Sequence, residues 1–295
     1  MILLTGASGF LGKIIRLKYQ KEIISLGRSE NEDIVCDLSK QIPTLPAIDI
    51  VIHAAGKAHS VPKTEAENRE FYEVNVNGTI HLLQGLVHTN QLPKAFIFIS
   101  SVAVYGLESG SNIHEDTPLS AADPYGKSKI EAEKLVEQWC TEHKVICTIL
   151  RLPLLAGANP PGNLGAMING ISKGYYLNIA GGKAKKSMVM AADVADILFK
   201  SAEIGGIYNL TDGYHPSFSE LSEVIAAQLG KRKPASIPGF LASIIALMGN
   251  IAGRRAPINT NKLKKITSDL TFDDSKARKL LDWKPVRVLN GFRIK

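Results

Sequence analysis

Thr5-Gly6-Ala7-Ser8-Gly9-Phe10-Leu11-Gly12 stands directly behind the apolar run Ile2-Leu3-Leu4. Its glycines follow a G-x-x-G-x-x-G spacing, between a short strand and the start of a helix. Each glycine has its own use there. Gly6 permits a tight turn, Gly9 lets a pyrophosphate approach the backbone, and Gly12 lets helix and strand pack closely. The pyrophosphate then meets the free N–H groups and the dipole of the helix N-terminus. A dinucleotide is the ligand this placement predicts.

The chain around the cradle repeats the same alternation. Ile23 to Leu26, Ile48 to Ile52, Ala95 to Ile99 and Val145 to Leu150 are further short apolar runs, and helical stretches such as 72–87 and 125–143 fall between them. Continuous apolar strands alternating with helices predict a parallel sheet covered on both faces. The fold class is therefore α/β, a Rossmann-like doubly wound parallel sheet with a smaller C-terminal substrate lobe. The division expected is 1–155 for the cofactor domain, with a returning segment near 186–212, and 156–185 with 213–295 for the lobe. Ligands of such sheets sit beyond the carboxyl ends of the strands, and every motif below falls at one of those ends.

Composition narrows the classes. The 295 residues are 45% apolar and 21% charged, ordinary for a globular chain. The net charge of +7 comes from scattered Lys and Arg, which suits an anionic small ligand better than nucleic acid. Cys36, Cys140 and Cys147 form no C-x-x-C pair, and the histidines share no metal-ligand spacing, so neither a metal nor a disulfide framework is expected. The N-terminus lacks the basic and long apolar regions of a signal peptide, and a cytoplasmic location follows. The most apolar stretch, 239–251, is shorter than the roughly 20 residues of a bilayer span. It reads as a buried or capping helix or, since Arg254 and Arg255 follow it, as a helix lying on a membrane surface.

Behind the second run stands Leu26-Gly27-Arg28-Ser29, with no acid. An acid at such a tip binds a ribose 2′-hydroxyl, whereas an Arg accommodates a 2′-phosphate. Arg28 thus predicts NADP(H) over NAD(H). Asp37 and Leu38 are placed to bracket the adenine. His53-Ala54-Ala55-Gly56 is a strand end of small residues that lets a cofactor lie close.

Tyr125-Gly126-Lys127-Ser128-Lys129 opens a helix, where Tyr125 and Lys129, four apart, share a face. The ammonium is expected to lower the phenol's pKa, so that Tyr125 passes a proton to or from a sugar hydroxyl. Ser101, in Ser100-Ser101-Val102-Ala103-Val104-Tyr105-Gly106, could hold the reacting oxygen, and Asn75 of Asn75-Val76-Asn77-Gly78-Thr79 supplies a helix-borne amide.

Taken together, TGASGFLG, HAAG, NVNGT, SSVAVYG and YGKSK resemble the extended short-chain dehydrogenases, and within them the nucleotide-sugar epimerase/dehydratase family. The resemblance implies Ser101, Tyr125 and Lys129 as catalytic residues, supported by Asn75. It implies cofactor contacts at Gly6, Ser8, Gly9, Phe10, Leu11, Arg28, Asp37, Leu38, Ala54, Ala55, Gly56, Tyr125, Lys129 and Pro153, beside Gly12. It also implies substrate contacts at His59 and Lys186, a UDP-linked sugar as partner, and a homodimer. HAAGKAH, Arg151 to Leu154, Lys185 to Val189 and the Ser275-Lys276-Ala277 and Leu281-Asp282-Trp283 segments resemble one branch: bacterial UDP-N-acetylhexosamine C4 epimerases and 4-ketoreductases of surface-polysaccharide pathways.

Departures from the family pattern refine this. Dehydratases carry Asp-Glu where this chain has Val102-Ala103, and valine and alanine supply neither the acid nor the base that loss of water requires. Leu154 replaces an Asn that touches substrate phosphate in many members. Lys186 replaces a frequent Arg and would neutralise a diphosphate as a point charge. The expectation is hydride transfer at C4 of a UDP-linked hexosamine, leaning to ketone reduction because of Arg28. The alternatives are a UDP-sugar 4-epimerase and a non-catalytic NAD(P)-binding sensor on the same fold.

Overall fold

The five apolar runs and two further strands pair into one parallel sheet in the computed structural model, which describes residues 1–58, 62–252 and 259–294, with only the backbone at 251 and 252. Along the chain the strands are β1 (Ile2–Thr5), β2 (Ile23–Gly27), β3 (Ile34–Val35), β4 (Ile50–His53), β5 (Ala95–Ser101), β6 (Gly110–Ile113), β7 (Ile146–Leu152), β8 (Leu154–Ala156), β9 (Asn178–Ile179), β10 (Met188–Met190), β11 (Gly206–Asn209), β12 (Ser236–Ile237) and β13 (Leu270–Phe272). The α-helices are α1 (Phe10–Lys18), α2 (Glu65–Tyr72), α3 (Gly78–Val87), α4 (Pro124–His143), α5 (Gly162–Ser172), α6 (Ala191–Ile204), α7 (Phe218–Gln228), α8 (Gly239–Ala252), α9 (Thr260–Thr267), α10 (Ser275–Leu281) and α11 (Val288–Gly291).

The large sheet has the order β3-β2-β1-β4-β5-β7-β11. The chain winds outward from β1 to β3, then returns to lay β4 on the other side of β1. Connections therefore leave β1 and β4 in opposite directions, and a crevice opens between their carboxyl ends. Register aligns those ends: Thr5 lies opposite Leu26 on one side and His53 on the other. Strand pleating sends alternate residues to opposite faces. Ile2 and Leu4 join the core beneath α1, α6 and α10, whereas Leu3 joins the core beneath α3 and α4. Both faces are covered, which is why the strands carry so few polar residues.

The second half builds a smaller core of its own. α5 and α7 pack with β8 and β10 through Leu164, Met167, Met188, Leu221 and Ile225, joined by Val288 of α11 and by Phe292 just after it. The segment from β10 through α6 to β11 belongs to the large sheet's surroundings, with β11 as its edge strand. The last helices also return to that sheet. Ala277, Leu281 and Trp283 enter the core shared by Ile2 and Leu4, and the Trp283 indole donates to the Thr211 carbonyl at 2.9 Å.

One expectation changes here. The apolar character of 239–251 predicts a buried or capping helix or, with the two arginines after it, a membrane-surface helix. Among its described side chains α8 instead buries only the small residues Ala242, Ala246 and Gly249, and exposes Phe240, Leu241, Ile244, Ile245, Leu247 and Met248. Arg254 and Arg255 lie outside the described residues. No helix among the described residues is long and apolar enough to cross a membrane.

Candidate active site

The turn after β1 is as tight as the glycine spacing required. Gly6 has φ +73°, and a Cβ there would meet the backbone of Ala54 and Ala55 at 2.6–2.7 Å. A Cβ on Gly12 would lie 2.0 Å from the Gly6 carbonyl oxygen. Gly9 caps α1 without any side-chain hydrogen bond, so the first N–H groups of the helix face open space. These features fit a dinucleotide pyrophosphate: an uncapped helix start, laid bare by glycines, at the crevice of the sheet.

A continuous cleft runs past this cradle. Its inner part, about 370 Å³, takes Phe10, Leu11, Gly12, Ser101, Tyr125, Lys129 and Pro153. Its outer part, about 210 Å³, takes Ser8, Arg28, Asp37, Leu38 and Ala55. Gly6, Gly9, Ala54 and Gly56 line both parts. At the outer end Arg28 is exposed. Burial pushes the Asp37 carboxyl up, but its bonds from Ser39, with the charges of Lys40 and then Arg28, hold it below its usual range. That carboxylate already accepts from the Ser39 N–H and hydroxyl at 3.1 and 2.7 Å. Arg28 therefore lies beside a carboxylate whose own bonds are largely made.

Three side chains converge at the inner end. Ser101 closes β5, and its Oγ accepts from the Ala103 N–H at 3.2 Å. Tyr125 enters in the first turn of α4, whose start is fixed by Pro124 and by Asp123 Oδ1 accepting from the Gly126 N–H at 3.0 Å. The Ser101 hydroxyl lies near enough to the Tyr125 hydroxyl to favour its ionised form. Lys129, one turn further along α4, is 5% exposed and donates to the Ile99 carbonyl at 2.8 Å. Lys127 is exposed, as expected.

The proton balance differs from the sequence expectation. Burial raises the Tyr125 pKa, only partly offset by the nearby Ser101 hydroxyl. Lys129 does not lower it in this arrangement, because its ammonium is turned to the Ile99 carbonyl and lies 4.4 Å from the Phe98 ring centroid. Burial also lowers Lys129, to about 8, against the opposing pull of Glu133. At neutral pH the site thus holds a protonated phenol beside a hydroxyl, with an ammonium close to its own titration point. Gly56 keeps the path to that ammonium open, since a Cβ there would lie 3.0 Å from Asn75 Oδ1 and 3.5 Å from Lys129 Nζ.

Asn75 is at the cleft wall rather than in the cleft. It belongs to a π-helical turn, Glu73–Asn77, between α2 and α3, an irregularity that often marks functional sites. Its amide is fully employed: Oδ1 accepts from the Lys57 N–H at 2.7 Å, and Nδ2 donates to the Lys57 carbonyl and to Ser128 Oγ at 3.1 and 2.9 Å. It pins the end of β4 to α4.

Behind it runs a buried relay. The Ala55 N–H donates to Thr5 Oγ1, Thr5 pairs with His53 Nδ1 at 2.6 Å, His53 Nε2 pairs with Thr79 Oγ1 at 3.0 Å, and Thr79 donates to the Asn75 carbonyl. Since Thr79 spends its proton on that carbonyl, His53 must carry hydrogen on Nε2 and accept at Nδ1. Burial holds the His53 pKa down at about 3. The folded value lies below the unfolded one near 6.5, so the stability that depends on a neutral ring is complete above about pH 6.5 and drains as pH falls toward 3. The loss can reach about 1.4 kcal/mol per pH unit. Urea unfolding at several pH values should show a flatter acid dependence for His53→Gln than for the wild type; parallel slopes would assign the titration elsewhere.

Of the two substrate residues expected from the resemblance, one lies away from the cleft and the other is outside the described residues. Lys186 donates its ammonium to the Lys265 and Ser268 carbonyls at 3.0 and 2.9 Å, at the end of α9, and does not line the cleft. His59 lies outside the described residues. In their place the structure adds features that no motif announced. A second cavity of about 480 Å³ adjoins the cleft at Leu154, lined mainly by apolar residues such as Met167, Tyr176 and Phe218, with Lys262 and Lys265 at its edge. Behind β5, Arg151 and Glu133 form a buried ion pair at 2.8 Å. Glu133 also accepts from Ser100, and Arg151 donates to Tyr105 Oη at 3.1 Å. These partners are far apart in sequence and belong to no local pattern.

The comparisons with known proteins agree with this geometry. The model of the NAD dependent epimerase/dehydratase family matches residues 2–210. A UDP-glucose 4-epimerase of Vibrio cholerae is 27% identical over 99% of this chain and 93% of its own length. An N-acetyl-alpha-D-glucosaminyl-diphospho-ditrans,octacis-undecaprenol 4-epimerase of Escherichia coli O157:H7 is 26% identical over 94% of this chain and 88% of its own. Among solved structures, a UDP-glucose 4-epimerase of Thermotoga maritima with UDP-glucose superposes with a TM-score of 0.75 at 20% identity, over 98% of this chain and 95% of that one. A UDP-N-acetylglucosamine 4-epimerase of Bacillus cereus gives 0.74 at 21% identity, over 98% and 95%. With a family model matched over more than half its length, and with the glycine cradle and crevice described above, this chain belongs to the NAD dependent epimerase/dehydratase family, within the extended short-chain dehydrogenases.

Proposed function

We propose that this chain transfers a hydride at C4 of a UDP-linked hexosamine, in the direction of ketone reduction with NADPH. The observation that carries the reading is a single cleft with a half-buried phenol and hydroxyl, Tyr125 and Ser101, at one end and Arg28 at the other. The nicotinamide cofactor, when bound, supplies the hydride. Tyr125 gives its phenolic proton to the C4 oxygen as the carbonyl becomes an alcohol, which suits a phenol that burial keeps protonated. Ser101 holds the same oxygen in place. Lys129 stabilises the phenolate left behind, and the proton is recovered from solvent. Asn75 acts as a positioning residue through the end of β4. The sugar reaches past Leu154 toward the second cavity, where Lys262 and Lys265 offer positive charge to the diphosphate.

The curated relatives favour a second reading, the 4-epimerase, in which Tyr125 acts first as base and then as acid on the same oxygen. One assay separates the two. The chain is given a UDP-linked 4-keto-6-deoxyhexosamine with NADPH or NADH, and separately UDP-N-acetylglucosamine or UDP-N-acetylgalactosamine without added reductant. Stoichiometric loss of NADPH absorbance supports reduction. Interconversion of the two acetylated sugars without loss supports epimerisation, and neither activity sinks both. In the same assay Arg28→Asp should weaken NADPH by about tenfold or more while leaving NADH unaffected, since a charge-assisted phosphate contact is removed.

A further inference from the structure

We propose that α8 is a docking helix that lies on the surface of an anionic lipid bilayer. A surface helix of a globular protein normally turns its large apolar side chains inward and its polar ones outward. α8 does the reverse. Its inward stripe is Ala242, Ala246 and Gly249, small residues that let the helix sit close to α9 and to the turn at Ala180–Gly182. Its outward side carries Phe240 at 67%, Leu247 at 61% and Met248 at 66% exposure, with Ile244 and Ile245 between them. No charged residue lies between Gly239 and Asn250.

The charge around this helix selects the occupant. From Val224 through Ser268 the sequence has no acidic residue and eight basic ones: Lys231, Arg232, Lys233, Arg254, Arg255, Lys262, Lys264 and Lys265. The whole chain carries a net +7, so this tract alone exceeds the balance of the molecule. Lys231, Arg232, Lys233 and Lys264 are exposed. Glu223 pairs with Lys233 and Glu108 with Lys265 from outside the tract, and both pairs are half open to solvent. A large apolar stripe flanked by bases and free of acids is the combination that inserts shallowly among acyl chains while headgroup phosphates neutralise its rim. A second copy of the chain would bring the same positive charge to the interface, and like charges would oppose each other. A bilayer with anionic headgroups meets both properties.

The test uses the full chain with its cofactor and sedimentation with vesicles. Vesicles of phosphatidylcholine with about one-third phosphatidylglycerol should carry the protein into the pellet, and pure phosphatidylcholine should carry at least about tenfold less. Raised salt should weaken binding in part, leaving the apolar share. A triple variant, Phe240→Ser, Leu247→Ser and Met248→Ser, changes only exposed side chains. It should lose the vesicles by about tenfold or more while still binding NADPH as the wild type does. Equal binding by the variant, or no wild-type binding to anionic vesicles, overturns the proposal. So does a wild-type dimer in analytical ultracentrifugation that the triple variant converts to monomer without any vesicle binding. The readout is independent of substrate turnover, so its failure leaves the proposed reaction untouched.

Discussion

Tyr125→Phe is expected to lower kcat by about 10²–10⁴ while leaving cofactor affinity and folding close to wild type. The substitution removes one oxygen from a position whose ring remains packed 6.1 Å from the Phe71 ring. Its partner Ser101 keeps the bond from the Ala103 N–H, so no buried acceptor is orphaned. What disappears is the proton that the C4 oxygen must receive. Burial biases Tyr125 toward its protonated form, and Lys129, lowered to about 8, is the nearby cation that can offset this once a charged intermediate forms. Steady-state kinetics beside a cofactor titration would decide the matter. A variant with near-normal turnover would remove Tyr125 from the chemistry, whereas a variant that no longer binds cofactor would make it a structural residue.

The second large effect is expected at Gly12. A methyl group there has nowhere to go, because it would fall 2.0 Å from the Gly6 carbonyl oxygen and 2.8 Å from the Ala7 Cα, both backbone. α1 would have to move off β1, carrying the pyrophosphate site with it. Gly12→Ala should therefore cost about 3 kcal/mol or more in stability, at the upper end of overpacking effects. It should lower Tm by about 5–10 °C and abolish dinucleotide binding. Gly9→Ala is the contrast. Its backbone, φ −72° and ψ 173°, suits alanine, and the added carbon would meet only the Gly6 oxygen, at 3.2 Å. That variant should fold normally and bind cofactor weakly, since its methyl group faces the ligand. Thermal melts with and without NADPH would separate the two glycines. Equal behaviour would mean that Gly12 does not set the helix–strand distance.

The cradle was legible because its meaning is local. Three glycines between a strand and a helix define their geometry within eight residues, and the structure follows it atom by atom. The parallel sheet was legible for a similar reason, as apolar runs such as Ile2-Leu3-Leu4 and Ala95 to Ile99 leave no face for water. Less local features were not. β3 is two residues long, too short for any periodicity. The π-turn around Asn75 lies within the 72–87 stretch, which reads as uninterrupted helix. The pairing of Arg151 with Glu133 joins a strand to a helix, and only the sheet order brings them together. Lys186 is expected at the substrate from the family resemblance alone, and no local pattern announces the two backbone carbonyls to which the fold turns its ammonium. α8 shows the limit most clearly: an apolar string reads the same whether its large side chains are turned inward or outward.

The placement of Trp283 has a consequence for how the chain is made. The core over β1 is closed by Ala277, Leu281 and Trp283, and the backbone N–H groups of Val286 and Val288 are anchored to Asp193 and Asp212 at 2.7 and 2.9 Å. During synthesis β1 must therefore wait for residues as distant along the chain as Trp283 before its outer layer is complete. Until then Ile2 and Leu4 are covered only by α1 and α6, an open seam that trigger-type chaperones are suited to shield. Contacts between positions so distant in sequence also slow the search for the native state. This core is assembled less like a bead string, folding as it emerges, than like a clasp that shuts once its two distant halves are present.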